Sequence, residues 1–232
     1  MRKITILFFL ILTINGYSQE KPKLSEQFYI GTSLGANVPI GDFKSSEYLK
    51  NGICLNIDAG YLFTRKIGVC FKYTSYSNNI DANSLATYIL YSDPSFTSAS
   101  VQSNPFTIKN FDFGIVSNSY IGSVIFQYKL FAGISSSQIA QNNCSITVGT
   151  TPVNMIISSA SSMNFNYGID LSVKCLLTKK LSLNINLGTL STTGNFLRTV
   201  TVAGSDITQF GSSSYDINYI NYGIGLTYQI MK

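Results

Sequence analysis

The sequence predicts an all-β protein: an eight-stranded antiparallel up-and-down transmembrane β-barrel with short periplasmic turns and long extracellular loops. Three observations carry that prediction. Apolar and polar side chains alternate strictly, residue by residue, in eight separate segments. That period of two belongs to strands with unlike faces. The connections between the segments are alternately short and long, the pattern of a membrane barrel. The apolar face of the segments carries no charge.

The chain opens on a secretory signal. Arg2 and Lys3 form a basic start, residues 4–14 are apolar, and Gly16-Tyr17-Ser18 offers small residues for cleavage. An apolar run of 11 residues is too short for a membrane helix, which needs about 20. Residues 1–18 are therefore read as a signal peptide and 19–232 as one outer-membrane barrel domain. No cysteine follows the signal, which argues against a lipid-anchored start.

In the first predicted strand Phe28, Ile30, Leu34 and Ala36 face away from Tyr29, Gly31, Ser33 and Gly35. The second sets Ile53, Leu55, Ile57, Ala59, Tyr61 and Phe63 against Cys54, Asn56, Asp58 and Gly60. Val69, Phe71 and Tyr73 oppose Gly68, Cys70, Lys72 and Thr74 in the third. The fourth has Phe111, Phe113 and Ile115 against Asn110, Asp112 and Gly114; the fifth has Phe126, Tyr128, Leu130, Ala132 and Ile134 against Gln127, Lys129 and Gly133. The sixth runs from Phe165 to Cys175, with Asn166, Gly168, Asp170, Ser172 and Lys174 on its polar side. Leu181 to Leu187 and Ile220 to Ile230 complete the set. The segments run about 9 to 14 residues, where soluble strands average about 5–6 and membrane strands need about 9–11.

Short connections fall at Thr64-Arg65-Lys66, near 118–122, and at Thr178-Lys179-Lys180; the long ones cover roughly 37–51, 78–105, 136–162 and 191–215. A soluble lipocalin-like barrel also alternates, with its apolar face inward. Its polar face would meet water and carry Lys and Glu. Here all three glutamates (Glu20, Glu26, Glu47) lie outside the strands, and glycines crowd the polar face, from Gly31 to Gly225. Small residues suit a cramped interior. Tyr61, Phe63 and Tyr228 at one rim, with Tyr73, Phe165, Tyr167 and Tyr222 toward the other, match interfacial aromatic girdles.

Composition removes most chemistry. The chain has no His and no Trp, and only 12% of its residues are charged, about half the usual quarter. Without imidazole there is no Ser-His or Cys-His nucleophile and no His-ligated metal. Gly223-Ile224-Gly225 lacks the strand-to-helix context and third glycine of a dinucleotide loop. Catalytic, cofactor and metal sites are accordingly read as none. The interior positions instead hold Asp58, Asp112 and Asp170 against Lys72, Lys129 and Lys174. These six are read as a structural ion network, since buried charges require partners. If Phe63 and Ile67 flank the Thr64-Arg65-Lys66 turn as a pair, Asp58 lies opposite Lys72, and the reading expects a salt bridge between them.

One local piece is distinctive: Ser33-Leu34-Gly35-Ala36-Asn37-Val38-Pro39-Ile40-Gly41-Asp42-Phe43. A first strand running into a Pro-x-Gly-Asp-Phe loop resembles the small outer-membrane β-barrel proteins of the OmpA-like and PorT-like group of Gram-negative bacteria. That resemblance implies insertion into the outer membrane after export. Such barrels usually end on an aromatic residue, whereas this chain ends Ile230-Met231-Lys232, with Tyr228 in its place.

The expected role is a non-enzymatic membrane scaffold, with outer-membrane lipid around it and a protein partner at the long loops or the basic turns. Narrow-lumen transport or small-molecule binding is the alternative, and a secreted lipocalin-like binding protein the second. The few, scattered basic residues exclude nucleic acid. Cys54, Cys70, Cys144 and Cys175 show no metal-like spacing; unpaired thiols are the favoured reading, with Cys54 and Cys144 placed to meet near one rim.

Overall fold

The computed structural model describes residues 27–121, 124–178, 180–203 and 208–231; the predicted signal peptide lies outside them. The described residues form β1 (Gln27–Ile40), α1 (Asp42–Ser46), β2 (Gly52–Leu62), β3 (Ile67–Asn78), α2 (Ala82–Ser92), β4 (Phe96–Ser103), β5 (Phe106–Ile121), β6 (Val124–Ile139), β7 (Asn142–Val148), β8 (Thr151–Ile157), β9 (Ala160–Leu176), β10 (Leu181–Val202) and β11 (Thr208–Met231).

Eight of these strands are the predicted ones. In the order β1-β2-β3-β5-β6-β9-β10-β11 they pair antiparallel, and the β1–β11 and β10–β11 ladders close the ring. Closure leaves the spanning wall without an edge, which hydrocarbon demands because no water is present to satisfy backbone groups. The β2–β3 register runs from Ile53↔Ser77 to Leu62↔Gly68 and places Asp58 opposite Lys72, as the tight turn requires.

Alternation decides what each face meets. Leu34, Ile53, Phe113, Ile185 and Ile224 project outward and are 60–63% exposed. Exposed apolar rows around the whole wall make a continuous belt, far beyond the patches a soluble monomer carries. Ring pairs edge the belt: Tyr61–Phe63 at the turn end, with centroids 5.4 Å apart, and Tyr73–Phe111 toward the loops, at 5.0 Å.

The inward residues fill the lumen in three layers. Tyr29, Leu62, Cys70 and Val116 pack at the turn end. A polar middle follows. At the loop end Phe43, Tyr76, Phe106, Ile108, Leu190, Phe196, Ile217 and Tyr219 belong to one buried cluster. Packing is tight enough that a Cβ on Gly60 would collide with the Tyr29 ring.

The long connections differ from the expectation. The stretch 191–215 is largely strand, because β10 continues to Val202 and β11 begins at Thr208. The connections 78–105 and 136–162 hold α2, β4, β7 and β8. These short strands extend the sheet as β10-β8-β7-β4, and α2 packs Leu85 and Ile89 against Cys144, Ile146, Val101 and Met155. The physical reason is a change of surroundings. Above the bilayer the outward face meets water, so its side chains turn polar (Ser191, Thr193, Asn195), while the inward ones become apolar (Leu190, Phe196). The alternation persists with its sense inverted. The β5–β6 connection is also tighter than expected, since Ile121 still pairs with Val124.

Candidate functional site

The lumen's polar layer is built by neighbouring strands that present their charges inward. Asp58 comes from β2, Lys72 from β3, Asp112 from β5, Lys129 from β6, and Asp170 and Lys174 from β9; all six are buried. Register sets Asp58 opposite Lys72, Lys72 opposite Asp112, and Lys129 opposite Asp170.

The ion pairs do not follow those ladders. Lys72 Nζ donates to Asp170 Oδ2 at 2.6 Å, and Lys129 Nζ to Asp58 Oδ2 at 2.6 Å. The expected Asp58–Lys72 bridge is therefore corrected: the two are register partners, and each takes an ion partner elsewhere. Directly opposed Cβ atoms lie only about 4.5–5.5 Å apart, too near for a lysine's extended four-carbon stem. Extended, that stem carries the amine across the lumen. Lys72 there stands 4.3 Å from the Phe131 ring centroid, and Lys174 stands 4.7 Å from that of Tyr29, cation–π contacts that gain strength away from water. Asp112 lies beside Asn166 and carries no salt bridge among the described residues.

The loop end is closed from above. Phe43 of α1 is fully buried, its ring 5.0 Å from Phe106 and 5.3 Å from Tyr215. Below it, Tyr76 and Tyr219 stack with centroids 5.1 Å apart and planes 4° from parallel, and Asn221 Nδ2 donates to Tyr76 Oη at 3.0 Å. Arg198 Nη1 on β10 donates to Glu47 Oε2 at 3.2 Å, tying the α1 loop to the outgrown wall. Glu47 and Arg198 stand 151 residues apart, so no spacing in the sequence signals their contact. Asp81 caps α2 by accepting from the Ser84 backbone N–H, which holds its carboxyl below the ordinary range, with Lys50 at 3.3 Å assisting.

Chemically this arrangement holds charge; it does not present it. Two of the three lumen carboxylates are engaged by lysines between packed apolar layers. The four cysteines stand as free thiols, with Cys54 in the loop-end cluster and Cys144 in the separate cluster beneath α2.

No family model and no curated protein matches the chain. Solved structures do match. A major outer membrane protein from Thermus thermophilus is similar at 14% identity and a TM-score of 0.52, over 88% of this chain and 99% of that one. Neisserial surface protein A is similar at 12% identity and 0.47, over 90% and 99%. Ail, the attachment invasion locus protein of Yersinia pestis, is similar at 11% and 0.43, over 89% and 98%. At such identities the likeness concerns architecture alone, and the Thermus protein carries it. Ring closure, an apolar outer belt and that likeness agree: the chain has the fold of the small outer-membrane β-barrels.

Proposed function

We propose that the chain is exported, loses residues 1–18, and resides in the outer membrane as a non-enzymatic scaffold that engages a partner through its loop end. The observation that carries this reading is the sealed, cross-braced barrel beneath a built cap of α1, α2, β4, β7 and β8. A lumen filled by side chains is what eight strands enclose, and it favours anchoring over passage. The absence of His from the whole chain favours the non-enzymatic reading. Loops on a rigid wall are where binding residues concentrate. At the other end Arg65, Lys66 and Lys180 stand at the turns, a basic rim suited to an acidic periplasmic partner. The OmpA-like and PorT-like resemblance of the Pro39–Phe43 loop belongs to the same proposal.

Planar-bilayer recording of the purified barrel tests it. The expected trace has no reproducible conductance steps; uniform steps would favour narrow-lumen transport instead. Pull-down from detergent-solubilised envelopes then identifies the partner, and removal of residues 82–103 should abolish capture while the barrel still folds.

A further inference from the structure

The outer wall carries a cleft at the upper edge of the apolar belt, and its position follows from the register. On β9, β10 and β11 one row reads Tyr167↔Ser191↔Asn218, and the row above continues Thr193↔Asp216. The row below reads Ile169↔Thr189↔Ile220, so the belt ends directly beneath the cleft. The β9–β10 ladder stops at Asn166↔Thr192, and β10 regains a neighbour on that side only at Val200, on β8. Between these points side chains bridge the gap: Asn195 N donates to Ser162 Oγ at 3.0 Å, and Thr192 Oγ1 to the Phe165 carbonyl at 2.8 Å. The parting of the strands opens a cleft of about 460 Å³ lined by Phe165, Tyr167, Ser191, Thr193, Asp216 and Asn218.

The lining has a particular chemistry. Phe165 and Tyr167 are 65% and 58% exposed and offer two aromatic faces. Beside them stand two hydroxyls, an amide and a carboxylate, and no hydrogen bond within the described residues engages these four side chains. Aromatic faces suit the apolar face of a pyranose ring, while carboxylate and amide accept from and donate to its hydroxyls. Asp216 is the cleft's one charge, and it repels a bare phosphate. The belt immediately below supplies the surface for acyl chains.

We infer that this cleft binds the uncharged or amino-sugar headgroup of a glycolipid in the leaflet at the loop end. The inference rests on the membrane placement proposed above and adds a headgroup class and named residues to it.

Native mass spectrometry of the folded full chain tests this, in a polyoxyethylene detergent with equal amounts of digalactosyl diacylglycerol and phosphatidylglycerol. The galactolipid adduct should exceed the phosphatidylglycerol adduct about tenfold, and Asp216→Ala and Tyr167→Ala should each lower it about tenfold. Phe113→Ala, on the same belt away from the cleft, should leave it unchanged. Equal adducts of both lipids, or an undiminished adduct in Asp216→Ala, would overturn the inference. Free digalactose at millimolar concentration should compete only weakly; an adduct of free digalactose as strong as that of the galactolipid at equal concentration would assign the cleft to soluble saccharide and overturn the lipid assignment. Gel mobility of the same samples, unheated and boiled, separates failure of the cleft from failure of the barrel.

Discussion

Lys129 on β6 and Asp58 on β2 meet at 2.6 Å although their strands are not neighbours. Lys72 on β3 reaches Asp170 on β9 at the same distance, again three strands away around the ring. The two pairs therefore brace opposite walls across the lumen. A ladder ties each strand only to the next; these braces tie halves of the barrel.

Breaking one brace should leave an unpaired buried charge. Asp58→Ala and Lys129→Ala are each expected to cost about 3–5 kcal/mol in urea unfolding of the reconstituted barrel. The Asp58/Lys129 and Lys72/Asp170 double mutants should each be less damaged than the added single effects, by about 0.5–3 kcal/mol. The Asp58/Lys72 cycle, between register partners without a bond, should show a smaller coupling than either. A larger one would restore the hairpin bridge.

The stacked tyrosines differ in their hydroxyls. Tyr76 Oη accepts from Asn221, whereas Tyr219 Oη is buried without a partner among the described residues. Tyr76→Phe should therefore cost about 1–3 kcal/mol by orphaning the amide, and Tyr219→Phe should be neutral or stabilising. Paired unfolding curves decide it; equal losses would mean that both hydroxyls are engaged.

Crowding at the turn-end layer gives a steric test. Gly60→Ala places a methyl against the Tyr29 ring and should destabilise by about 1–3 kcal/mol. Adding Tyr29→Leu should recover part of that loss. An undiminished penalty in the double mutant would place the clash elsewhere.

Asp81 gives a pH dependence outside the membrane. The Ser84 backbone N–H is the first cause of its lowered carboxyl, and desolvation opposes it. Its folded value lies below the ordinary 3.8, so the cap is fully effective above 3.8 and is lost as pH falls through the folded value. Amide exchange at Ser84 should accelerate on that descent, and Asp81→Asn should flatten the profile. A flat profile in the parent chain would remove Asp81 from the cap.

The wall was legible because lipid is a strict reader: every outward position from Ile220 to Ile230 had to be apolar, and strict alternation followed. The lumen charges were legible as a set for the same reason, standing on the other parity. Their pairing was not, because a lysine stem spans the lumen, and sequence adjacency across a hairpin carries no information about side chains three strands away. The cap escaped because its alternation changes sense at the bilayer edge. Leu190, Phe196, Ile217 and Tyr219 continue the inward parity as apolar residues, so a template expecting polar residues inside reads loop there. Nor does any spacing join Glu47 to Arg198 or Phe43 to Tyr215; these contacts exist only once the ring has closed.

The central claim is a closed barrel in the outer membrane, and gel mobility of envelope-extracted protein tests it most directly. A closed barrel keeps its compact form in detergent until heated, so the unheated sample should run ahead of the boiled one and come from the outer-membrane fraction. Equal mobility in both lanes, or recovery of the protein from the soluble periplasm, would contradict the account.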